Sequence, residues 1–187
     1  MFERGSHCSY CGSKYLLNST WPKTCNKCEN ISYRNPLPVT VVLLPIVNDL
    51  ENYTEPVKML VIRRGIEPGL GKLALAGGYV NWENEPEIWQ KAAARELFEE
   101  TNILIDPNEF QEYRVVSVPS GSLLIFAETL SFHTVAELPK FIPNEEVQER
   151  LLLSKKDLEA LPSDAFAFPT HSDILYEYLE ELESTDL

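Results

Sequence analysis

The chain has 187 residues, 44% hydrophobic and 24% charged, and its 29 acidic against 16 basic side chains leave a net charge of −13. Such a length carries one well-buried α/β domain with a small appendage, and the composition shows neither a low-complexity tract nor a repeat. The acidic balance argues against nucleic acid or an anionic membrane as a partner, since both are held mainly by Lys and Arg, but a small phosphate ligand stays open because a bound cation reverses the local field.

Met1 to Ser6 is too polar for an export signal, and the longest apolar run, Val39 to Val47, is too short to span a bilayer and contains Thr40 and Pro45. A soluble cytoplasmic protein is expected. All four cysteines fall early, as Cys8-x2-Cys11 and Cys25-x2-Cys28 with thirteen residues between the pairs. That spacing suits two knuckles closing a tetrahedral thiolate site for a structural Zn²⁺. Disulfides are not expected without an export route, and His7 is a bystander because four thiols complete the shell. So short a segment buries little core, so the metal supplies much of its folding free energy.

Asn35-Pro36-Leu37-Pro38 is a stiff, extended linker. It sets a boundary at residue 36, with a zinc ribbon over 1–36 and the main domain over 37–187. Val39 to Val47 reads as one buried strand, Asn48 to Pro56 as a loop, and Val57 to Arg64 as a second strand paired with the first. Arg63 and Arg64 at its end either contact phosphate or form a solvated strand end. A short strand follows over Lys72 to Ala76.

From Gly77 to Ile103 the pattern is a Gly-Gly turn, a loop, and a helix with Trp89, Ala92, Ala93, Ala94 and Leu97 on its packing face. Helical spacing puts Glu96, Glu99 and Glu100 on one side. Like charges at i,i+4 repel by roughly 0.2–0.5 kcal/mol in an isolated helix, and a hard divalent cation with oxygen ligands turns that repulsion into coordination. The glycines let backbone approach a ligand closely, so the Gly77 carbonyl is a further candidate ligand.

Beyond the helix, Gln111 to Pro119 and Leu123 to Leu130 form two strands around Ser120-Gly121-Ser122, Glu137 to Pro143 is a loop, and Val147 to Leu153 is a last strand. Ser154 with Asp157 and Thr170 with Asp173 mark helix starts, the final helix running over His171 to Glu183. Strands interleaved with helices predict an α/β fold, a mixed β-sheet sandwiched between helices.

Gly78, Glu87, Arg95, Glu96, Leu97, Glu99, Glu100 and Ile103 resemble, in order, the Nudix box. Eight residues separate Gly78 from Glu87, three more than the family pattern has, Asn102 stands where the box ends in glycine, and Ala76 replaces a proline. Asn102 is expected to cap the helix in the left-handed conformation, with Asn102→Gly neutral or mildly stabilising. A cysteine ribbon before such a domain resembles NADH pyrophosphatases and related zinc-ribbon Nudix proteins.

The resemblance implies hydrolysis of a nucleoside diphosphate linked to another group. Mg²⁺ or Mn²⁺ would be held by Glu96, Glu99, Glu100 and Gly77, with Arg95 and Glu87 supporting, Gly78 next to the substrate, and Glu99 or Glu100 serving as base. Glu146, with Glu145 and Glu149 as rivals, resembles an extra ligand or base that relatives carry; a plain surface carboxylate is the other reading. Val116 to Leu124 lacks the proline- and tryptophan-rich motif of NADH-cleaving members, which shifts the expectation towards ADP-ribose or another sugar nucleotide. The alternative is a nucleotide-binding or regulatory module with weakened catalysis. The partner is then a small nucleotide, and a homodimer is compatible.

Overall fold

From Val39 onward the first strand segment is apolar at successive positions rather than alternate ones, and such a strand needs a core on each face. The computed structural model of the chain provides both. It describes residues 5–17, 19–50, 56–82 and 85–184, and the chain divides into two units, residues 1–36 and 37–187.

In the first unit, β1 (Lys23–Thr24) and β2 (Ile31–Ser32) pair antiparallel. The buried cluster there is Cys8, Tyr15 and Cys25, with Cys28 packed against it. The second unit contains β3 (Leu37–Leu43), β4 (Pro45–Val47), β5 (Lys58–Arg64), β6 (Leu73–Ala74), β7 (Gly77–Tyr79), helix α1 (Trp89–Thr101), β8 (Phe110–Ser117), β9 (Ser122–Thr129), β10 (His133–Thr134), β11 (Val147–Ser154), α2 (Lys155–Glu159) and α3 (Pro169–Ser184). The strands form two sheets, ordered β7-β3-β9-β8 and β10-β4-β5-β11, with β6 also on β5. Each sheet is mixed, since β3–β9 and β10–β4 are parallel and the other pairs antiparallel.

Strand alternation sends neighbouring residues to opposite cores. Val42, Leu44, Ile46, Leu60 and Ile62 meet Ala93, Ala94 and Leu97 of α1. Val41, Leu43, Met59 and Val61 instead meet Ile174, Leu175, Tyr178 and Leu179 of α3. The sheets thus lie between helices, and each fully buried leucine, such as Leu97, contributes on the order of 2 kcal/mol by leaving water. The alanines of α1 bring its backbone close to the sheet.

Three strand expectations are corrected. Val39 to Val47 is not one strand: Pro45 has no N–H to give a ladder, and the chain passes at Leu44 from one sheet to the other. Only Pro45 and Ile46 pair with β5, opposite Met59 and Lys58, while β3 lies between β7 and β9. Gly77–Tyr79 is strand rather than turn, and Lys72 to Ala76 shortens to Leu73–Ala74. β10 and a 3-10 turn over Val135–Glu137 precede the expected loop. Ser154 does cap α2: its Oγ accepts from Asp157 N–H at 3.3 Å, and its own N–H donates to the Asp157 carboxylate at 2.9 Å. Helix α3 begins earlier than Thr170, with proline in its first turn. Of the loop expected over Asn48 to Pro56, residues 51–55 lie outside the described ones.

Candidate active site and thiol cluster

β7 pairs with β3 so that Val41–Gly77 and Val39–Tyr79 face each other, while Val42 and Val80 donate to the carbonyls of Ala76 and Pro38. Gly77 and Tyr79 are therefore at non-hydrogen-bonded positions, and their own N–H and C=O groups point away from β3. The Gly77 N–H donates to Glu100 Oε2 at 2.8 Å. A side chain on Gly77 would strike the Thr40 backbone, and one on Gly78 would strike the Glu96 carboxylate. Both glycines are there for close approach.

Arg95 is the hub of the surrounding polar network. Its Nε and Nη2 each donate to Glu87 at 3.0 Å, the planar fork on a carboxylate. The remaining donors reach Glu96 at 2.7 Å, Glu99 at 3.2 Å and the Tyr79 carbonyl at 3.0 Å. Glu87 also accepts from Asn81 N–H, and the Arg95 guanidinium holds its carboxyl below the usual range. The longer loop thus folds back so that Glu87 grips Arg95.

The helix face does not gather its three carboxylates equally. Glu100 is buried and Glu96 half-buried beside the glycines, whereas Glu99 is turned outward to Arg95 with its side chain 55% exposed. Among the described residues, only the four cysteines bring three or more potential metal donors within 4.8 Å of one another. Burial pushes Glu96 up, and pushes Glu100 up to about 8 against the Gly77 N–H; Glu146 adds to both, and Arg64 opposes it at Glu100. Glu100 is thus a buried carboxylate with a single N–H donor, a donor set that fits a hard cation.

This has a measurable consequence in protein without added divalent cation. Glu100 keeps its proton in the folded state where the unfolded chain, near 4.5, has lost it, so stability falls as pH rises from about 4.5 through about 8. The loss is on the order of a few kcal/mol. Glu100→Gln should remove that slope, and melting curves at pH 5 and pH 8 check it; equal slopes in both proteins would contradict it.

The end of α1 is tied to the segment before β11. Asn102 is left-handed, with φ 63° and ψ 14°, and its N–H bonds the Phe98 carbonyl. Its Oδ1 also accepts from Ile142 N–H at 2.8 Å, a side-chain bond that the cap by itself does not require. Gly in its place would ease the cap but delete a bond of about 1 kcal/mol. Sequence reasoning missed two more partners: Asn144 donates to the Glu99 carbonyl at 2.8 Å, and Arg150 to the carbonyls of Thr101 at 2.9 Å and Pro139 at 2.6 Å. The signal for Asn144 was its place before Glu-Glu-Val, where an Asx turn forms.

The two arginines ending β5 point opposite ways, as strand alternation requires. Arg63 is engaged by Glu149 at 2.8 Å and the Gly71 carbonyl at 3.1 Å. Arg64 bonds the Pro68 carbonyl, lies 5.1 Å from the Phe168 ring centre, and lends its charge to Glu100. His171 accepts from Leu75 N–H, and burial lowers its pKa to about 3, so it is a neutral core residue.

The four cysteines are unpaired, with Sγ–Sγ distances of 3.7 Å for Cys8–Cys28 and 3.6 Å for Cys11–Cys25. Tetrahedral zinc with bonds of about 2.3 Å needs sulfurs about 3.8 Å apart, so the quartet fits. The two knuckles repeat one geometry. Tyr10 and Lys27 N–H donate to Cys8 and Cys25 Sγ at 3.4 Å, and left-handed Gly12 and Glu29 donate to the carbonyls of the same cysteines. Burial raises the Cys8 thiol, but the N–H groups of Cys11 and Tyr10 and the facing thiols carry it down to about 6, towards the thiolate a metal binds.

No protein-family model and no curated protein matches the chain. Among solved structures, the NUDIX domain of Shewanella oneidensis NrtR, with ADP ribose, is 19% identical over 80% of this chain and 90% of that one, at a TM-score of 0.62. A bifunctional NMN adenylyltransferase/ADP ribose pyrophosphatase from Francisella tularensis, with AMP and a Mn ion, is 20% identical over 80% of this chain and 42% of that one, at 0.61. Those two share the fold. A NUDIX hydrolase from Nitrosomonas europaea is 30% identical over 96% of this chain and 93% of that one, at a TM-score of 0.65. With a likeness that runs through both units, the chain belongs to the Nudix hydrolase family.

Proposed function

We propose that the protein is a Mg²⁺- or Mn²⁺-dependent pyrophosphohydrolase acting on a nucleoside diphosphate linked to another group, ADP-ribose-like compounds first, NADH and other sugar nucleotides next. One observation carries the reading: the Glu100 carboxylate is buried next to Glu96 with the Gly77 N–H as its donor, a setting that disfavours its charge and that a bound cation would reverse. Glu96, Glu99, Glu100 and the Gly77 carbonyl would hold it, with Glu146 as a further ligand or base. A cation held there would supply charge to neutralise the diphosphate and would lower the pKa of a water.

The chain's own residues supply orientation. Glu87 fixes Arg95, which steadies Glu96 and Glu99, and Gly78 leaves room for the Glu96 carboxylate. Arg64, with Arg63 in its exposed pair with Glu149 as the second candidate, is assigned to a substrate phosphate. The ligands AMP and ADP ribose in two of the structural neighbours support an adenine nucleotide. We assign residues 1–36 as a zinc ribbon and 37–187 as the hydrolase domain, and place the protein in the cytoplasm, where thiols stay reduced.

The test is product release from a panel of nucleotide diphosphates with each metal. AMP from ADP-ribose is the expected product. No cleavage of any member with either metal would leave a nucleotide-binding module in place of an enzyme.

A further inference from the structure

Between Leu138 and Glu146 the backbone forms neither strand nor helix, so side-chain bonds must set its path. Two of those bonds join the segment directly to the end of α1, and a third reaches it through Arg150 of β11. Ile142 N–H is held by Asn102, the Pro139 carbonyl by Arg150, which also holds Thr101, and Asn144 grips the Glu99 carbonyl. On its other side Asn144 Oδ1 accepts from Glu146 N–H at 2.9 Å and Val147 N–H at 2.8 Å. The Glu146 carbonyl accepts from Gly65 N–H at 2.6 Å. The Glu146 backbone is thereby held on both sides, and its segment is tied through Asn144 to the Glu99 carbonyl of the helix that carries Glu96 and Glu100.

We propose that Asn102 and Asn144 are positioning residues that latch the 138–146 segment to the box helix and so set where the Glu146 carboxylate stands relative to that helix and its carboxylates. Where the box pattern has glycine, no side chain is available for this bond. Asn102 meets two demands at once: it adopts the left-handed cap and presents an acceptor to the loop. The inference rests on the reading that these carboxylates hold a divalent cation.

The full-length, zinc-loaded protein is compared with Asn102→Gly, Asn102→Asp, Glu146→Gln and the double variant Asn102→Gly/Glu146→Gln. Glycine keeps the cap, so the fold is retained. Mn²⁺ affinity, read by electron paramagnetic resonance, should fall about tenfold in Asn102→Gly and in Glu146→Gln, and the double variant should lose no more than Glu146→Gln alone. Asn102→Asp, which keeps the acceptor, should return to within about threefold of wild type. Amide exchange at Ile142, Glu146 and Val147 should accelerate in Asn102→Gly.

Unchanged Mn²⁺ affinity in Asn102→Gly or in Glu146→Gln, losses that multiply in the double variant, or no recovery in Asn102→Asp would overturn the latch. A wild type that shows the coupling but cleaves no diphosphate overturns the hydrolase reading and leaves the latch standing. A wild type that turns over diphosphates as fast as Asn102→Gly, with equal Mn²⁺ affinity, overturns the latch alone.

Discussion

Glu100→Gln should lower turnover of a nucleotide diphosphate by about two to four orders of magnitude while the protein stays folded. The amide keeps the shape of the side chain and can still meet the Gly77 N–H through its oxygen, but it carries no charge to hold a cation and cannot act as a base. Glu99→Gln should also lose orders of magnitude in rate, because Glu99 is the carboxylate left at the rim, open to water and substrate. Glu85→Gln is the control: Glu87, not Glu85, carries the fork to Arg95, so its rate should stay within about threefold of wild type. Steady-state kinetics with Mg²⁺ and Mn²⁺, alongside thermal melting, measure both. Full activity in the two box variants would falsify the assignment of the site.

The second large effect is expected at the thiol cluster. Structural zinc contributes about 10–16 kcal/mol of apparent binding free energy in small zinc domains, and among the described residues of the first unit the buried cluster is Cys8, Tyr15 and Cys25. Cys25→Ser should therefore unfold the first unit, while the second, with separate cores under α1 and α3, keeps its melting transition. Metal analysis of protein purified without chelator should find about one zinc per chain in wild type. Reduced protein with zinc near zero would sink the claim, as would a ribbon that stays folded without it.

What could be read from sequence was carried by short spacings. The two cysteine pairs, the helix bearing Glu96, Glu99 and Glu100, the left-handed cap at Asn102 and the Ser154–Asp157 cap each involve residues a few positions apart, where chain geometry leaves few alternatives. The mixed α/β class followed from the same local periods. Mean composition and charge set only the class of ligand.

Tertiary structure decided whatever depended on distant partners. β3 pairs with β9, more than eighty residues away, and no local pattern distinguishes that neighbour from β5. The break at Pro45 becomes visible only when Leu44 and Ile46 are seen to leave one sheet for another. Helical spacing put three carboxylates on one face, but folding left Glu99 exposed on Arg95, which Glu87 holds across the loop, while it buried Glu100 against Gly77 of β7 and half-buried Glu96. Asn102 shows the division at one residue: its backbone conformation follows from its place at the helix end, and its side-chain bond exists because folding brings Ile142, forty residues on, within reach.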